Sequence, residues 1–198
     1  MAVDDDSLSL WPTLHDGRLE EISSSRDDQS LVFRIDLPHL RKFHQLPAET
    51  QFEIRCLGAV WVRIGEGVPW AGIAFGVAED WTAESAPDWV ADWQGKSASW
   101  EQFEQSLAAQ AWGPAWVFEA WLEKIPHGPI PNAQQMLRLG LQVNEEFWPG
   151  LCVCFSQLEI ATQDGRAWTL TEFLDLGVDY WEDFAERSQA VRQASIPR

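Results

Sequence analysis

Cations are scarce in this chain: 14 lysines and arginines stand against 31 aspartates and glutamates, for a formal charge of -17. Phosphate binding needs clustered Lys and Arg, so the imbalance argues against nucleic acid and against an anionic membrane surface. It favours a basic protein partner, whose encounter such a field accelerates. Tyrosine occurs once and cysteine three times. Cys152 and Cys154 sit two apart in an apparent strand, too far along it to bond. With an odd count besides, no disulfide is expected and a reducing cytoplasm fits best. No run approaches the roughly 20 apolar residues of a membrane helix. The opening Met-Ala-Val-Asp-Asp-Asp has neither the positive region nor the apolar core of a signal peptide, which again leads us to expect a cytoplasmic protein.

Catalytic signatures are missing too. There is no Gly-x-Ser-x-Gly, no glycine-rich phosphate loop and no dinucleotide fingerprint; Gly65-Glu66-Gly67 lacks the third glycine and the helix after it. His39 and His44 are five apart, which is not the i, i+4 spacing of helical zinc ligands. His15-Asp16 occupies a tight turn, where aspartate is favoured for backbone reasons. We therefore expect no metal, no cofactor and no catalytic residue that the sequence reveals. A carboxylate pair of the glycosidase kind is a matter of spatial separation, on which the sequence is silent.

Tryptophan, by contrast, is abundant, at 13 of 198 residues. Indoles fill cores but also dominate binding hot spots, and one small core does not readily absorb thirteen. The apolar fraction of 45% is that of a globular chain. Its length suits a single domain over residues 1–198.

The order of patterns predicts an α+β fold. Ser7 to Leu14 and Arg18 to Ile22 alternate about an Asp16-Gly17 turn and read as a hairpin. Leu31, Phe33 and Ile35 share one strand face, and Pro38 to Phe43 reads as a short helix with Leu40 and Phe43 inward. Phe52, Ile54 and Cys56 alternate, then Ala59 to Ile64, then Ile73 to Val77. Strands return at Met136 to Val143 and Leu151 to Ile160, followed by an Asp164-Gly165 turn. The antiparallel sheet thus comes from residues about 7–77 and 135–170. Between them lies a helical, Trp-rich insertion at about 79–125. Ser99 with Gln102 marks one helix start there. Pro114 marks another, whose helix through Lys124 is apolar around most of its circumference. Thr169 with Glu172 caps a terminal helix, with Phe173, Leu174, Gly177, Tyr180, Trp181 and Phe184 as its inward stripe.

Two segments combine acidity with position. Glu79 to Glu104 holds seven acidic residues and one lysine. Within it Asp80, Trp81, Asp88, Trp89, Asp92 and Trp93 are candidate partner-binding residues, the last four being i, i+4 pairs. On the terminal helix Asp175, Asp179, Glu182 and Asp183 line the outer side and complete the candidate surface.

The stretch Trp11-Pro-Thr-Leu-His-Asp-Gly-Arg-Leu-Glu-Glu-Ile22, followed by Leu31-Val-Phe-Arg-Ile35, resembles the opening of small bacterial immunity-type proteins. These protect cells from polymorphic or contact-dependent toxins by binding them. The resemblance spans about the first fifth of the chain and carries no site residue with it. It implies a non-catalytic protein that occludes a basic toxin. Two alternatives remain open at this point. One is a DNA-mimicking inhibitor of a nucleic-acid enzyme, although tryptophan interrupts the acids. The other is a carbohydrate-binding or hydrolytic module using the Trp/Asp middle.

Overall fold

The computed structural model describes residues 7–25, 27, 29–59, 61–64, 74–76, 97–98, 101, 105, 115–124, 133–143 and 146–194. Its elements, in chain order, are β1 (Ser7–Ser9), α1 (Trp11–Leu14), β2 (Gly17–Ser25), β3 (Ser30–Asp36), α2 (Pro38–Phe43), β4 (Phe52–Leu57), β5 (Trp61–Ile64) and β6 (Ala74–Gly76). There follow β7 (Ser97–Ala98), β8 (Ala115–Lys124), β9 (Gln135–Val143), β10 (Glu146–Phe155), β11 (Gln157–Thr162), β12 (Ala167–Trp168) and α3 (Leu170–Ala194). This is an α+β architecture whose strands pair antiparallel, except for the short β6–β7 contact.

The ladder closes on itself. Hydrogen bonding runs β11-β4-β3-β2-β8-β9-β10, and β10 continues into β11 through Ser156 alone. At that corner the Ser156 amide and hydroxyl both donate to the Leu57 carbonyl, each at 3.0 Å. One long strand therefore pairs with β9 on one side of its bend and with β4 on the other, as corner strands do. Period-2 alternation fills the interior. Leu31, Phe33 and Ile35 of β3 meet Phe52, Ile54 and Cys56 of β4, with Val117, Leu139, Val153 and Phe155 from across the ring, all essentially solvent-free. Burial lifts the Cys56 and Cys154 thiols well above the ordinary range, so both are inert apolar groups here.

Two expected elements differ. The N-terminal residues form no hairpin: β1 pairs with β8, and Trp11–Leu14 is a helical turn with Pro12 in its first positions. Asp16 then takes a left-handed φ of 61° and Gly17 opens β2. The second correction is Pro114 to Lys124, expected as a helix. Residues Ala115–Lys124 are β8, paired with β9, β2 and β1. Ala115, Val117, Ala120 and Leu122 point inward while Trp116 and Trp121 stand on the outer face. A strand apolar on both faces imitates a helix apolar all round, and a bulge between Val117 and Glu119 breaks the period that would separate them. The capping pattern at Ser99 lies outside the described residues, of which Glu101 and Gln105 have helical backbone.

The terminal helix starts where its capping box places it. Thr169 N–H donates to Glu172 at 2.8 Å, and Glu172 N–H donates back to Thr169 Oγ1 at 3.2 Å. The Thr169 amide, and then its hydroxyl, donating to the Glu172 carboxylate lower that carboxyl's pKa. Its inward side is Phe173, Leu176 and Gly177, with Leu174, Tyr180 and Trp181 half-buried. Phe184 is instead exposed, and Leu176 joins the core without having been expected there.

Candidate functional site

Gly177 is where α3 meets α1. A Cβ on it would fall 2.2 Å from the Pro12 oxygen and 2.4 Å from the Thr13 nitrogen, so only glycine lets the two backbones touch. Thr13 Oγ1 donates to the Phe173 carbonyl at 3.0 Å, and Trp181 Nε1 donates to the Pro12 carbonyl at 2.8 Å. His44, just after α2, donates through Nε2 to the Leu176 carbonyl at 2.8 Å. Phe173 packs 5.4 Å from Phe52 at the start of β4. These bonds fix the first half of α3 on α1, α2 and the barrel. Beyond Trp181 the helix is exposed at nearly every described side chain.

This docking assembles an aromatic platform that no sequence segment contains by itself. Trp11 stacks on Trp181 with centroids 5.2 Å apart and planes at 27°. His15 lies 4.5 Å from Trp11 and 5.8 Å from Trp181, and Phe184 lies 5.6 Å from Trp181. Tyr180 continues the cluster to His39 and Phe43. Trp11 is 37% exposed and Phe184 46%. Of the five tryptophans whose side chains are described, Trp11, Trp116, Trp121, Trp168 and Trp181, none is in the fully buried core. His39 is half-buried against Tyr180, and desolvation lowers its pKa, opposed in part by Asp16 and Asp36.

The charges divide by surface. Arg18 pairs with Glu20, Arg34 with Glu21 and Glu53, Arg55 with Glu53, Arg41 with Asp36, and Arg138 with Glu123. Those cations are engaged along the strands and α2. Among the described side chains of α3, Arg187 pairs with Asp183. Asp175, Asp179, Glu182 and Glu186 are exposed with no cationic partner among the described residues. Of the candidate residues, then, Asp175, Asp179, Glu182 and Asp183 lie together on the outer side of α3, whose inward side carries Tyr180 and Trp181. Asp80, Trp81, Asp88, Trp89, Asp92 and Trp93 lie outside the described residues. A comparison with family models, with curated proteins and with solved structures finds no match to this chain.

The cavities offer different chemistry. One, ≈ 520 Å³, is lined by Gln134, Gln135, Ser156, Gln157, Leu158, Ile160, Trp168 and Leu170, without a charged group. A second, ≈ 360 Å³, contains Glu53 and Glu159, but Glu53 is already paired with Arg34 and Arg55. Among the described residues no three His, Cys, Asp or Glu side chains gather as metal ligands, and no helix is long and apolar enough to cross a membrane.

The platform was missed in the sequence because its members come from α1, α2 and α3 and the turn after α1, from Trp11 to Phe184. One local signal did exist: Trp11-Pro12 places an indole at the start of a helix rather than in a strand.

Proposed function

We propose that this is a non-catalytic protein that binds a basic protein partner stoichiometrically and neutralises it by occlusion. One observation carries the reading: α3 presents an arc of exposed carboxylates with no cationic partner among the described residues, on a helix that also bears the exposed Phe184. Carboxylates in like-charged i, i+3 and i, i+4 relation cost a helix roughly 0.2–0.5 kcal/mol per pair, so the arc is a burden on α3 by itself. A cationic partner relieves that repulsion while the aromatics supply buried contact area. The similarity of Trp11–Ile22 and Leu31–Ile35 to immunity-type proteins makes a bacterial toxin the partner of choice, met in the cytoplasm. The test is to sequence the genes beside its own and to co-express this chain with a toxin domain encoded there; a neighbourhood without one would count against the reading. Cells should survive with this chain and form a one-to-one complex. Survival and complex should both be lost when Asp175, Asp179 and Glu182 are changed to Lys. Protection that persists in the triple variant would overturn the reading.

A further inference from the structure

We infer that the Trp11–Trp181 stack is a receptor for an arginine side chain of the partner. The inference rests on the basic-partner reading and gives that reading a specific contact. Indole is the best aromatic surface for a cation, and the stack on Trp181 holds Trp11 in place 37% exposed, with the 46% exposed Phe184 against Trp181. At its edge Asp16, with its side chain 65% exposed, lies 3.2 Å from His15 Nδ1 and has no Lys or Arg partner among the described residues. Glu182 follows Trp181 directly, on the outer side of the helix. A purely apolar partner would desolvate these carboxylates without compensating them.

Arginine fits better than lysine on geometry. A planar guanidinium stacks on a ring while its N–H groups stay free, in plane, for carboxylates at the rim. A lysine ammonium is compact, more strongly hydrated and unable to do both. The protein already makes this contact internally, with the Arg166 guanidinium 3.8 Å above the Trp168 ring. The occupant is therefore an exposed, arginine-bearing segment of a second protein.

The test is calorimetric titration of the full chain, at low salt, with two Ser-spaced peptides of equal length and charge, one carrying arginine and one lysine. The arginine peptide should bind several-fold more tightly. Phe184→Ser and Trp11→Leu should each weaken it about tenfold and erase the preference. An unchanged melting temperature for Phe184→Ser shows that the fold is intact. Equal binding of the two peptides, or indifference to both aromatic changes, would overturn the arginine receptor. If Asp175→Lys with Asp179→Lys still weakened both peptides, the basic-partner reading would stand without it. No binding of either peptide would remove both. Self-association abolished by Trp11→Leu would make a second copy the occupant and overturn the inference.

Discussion

At the scale of single residues, Gly177 is the position on which the site depends. Alanine normally improves a helix by roughly 1 kcal/mol over glycine. Here its methyl would drive into the Pro12 carbonyl, where backbone and not a flexible side chain must yield. Overpacking of this kind costs about 1–3 kcal/mol, so the clash outweighs the propensity gain. Gly177→Ala should lower stability in urea denaturation and expose Trp181, seen as a red-shifted emission. A stabilised variant would mean that α3 does not lie on α1 as described. The sequence placed Gly177 correctly on the inward stripe, because i, i+3 and i, i+4 spacing is local. It could not show that Phe184, four residues beyond Tyr180, leaves the body, since that depends on where α1 and α2 end.

At the scale of elements, α3 and its supports make two predictions. The capping box opens the helix, and Thr169→Ala should cost about 1 kcal/mol in thermal or chemical unfolding. No loss would mean that the N-terminus of α3 is held by packing alone. The second concerns His39, between α2 and α3. Burial depresses its pKa below 6.5, so the unfolded chain binds the proton more readily than the folded one. The resulting stability is complete above about pH 6.5 and is lost as pH falls toward the folded value. Asp16 and Asp36 oppose that shift and His15 reinforces it, so the loss is modest. His39→Gln should flatten the melting temperature between pH 7.5 and 5.5, and an unchanged slope in the variant would contradict this. Strands with one polar face, such as β3 and β4, were legible because their period is clean. β8 was not: its tryptophans make both faces apolar, and only pairing with β9 and β2 decides its state.

At the scale of the whole molecule, the -17 charge is not spread evenly in effect. The described arginines of the strands and α2 are matched to nearby carboxylates, while most acids of α3 have no cationic partner among the described residues. The α+β class and the acidic helix could be read from the sequence, since both follow from local pattern and composition. The aromatic platform could not, because closing the barrel through Ser156 and docking α3 at Gly177 are what bring its parts together. The account's central claim is that a basic partner binds at α1 and α3. The most direct measurement is backbone amide chemical-shift mapping of the full chain, titrated with the arginine peptide at low salt. The account predicts that the largest changes cluster on Trp11–Asp16 and Asp175–Arg187 and fade as salt is raised. Changes centred on the strands β2 to β4, or none at low salt, would contradict it.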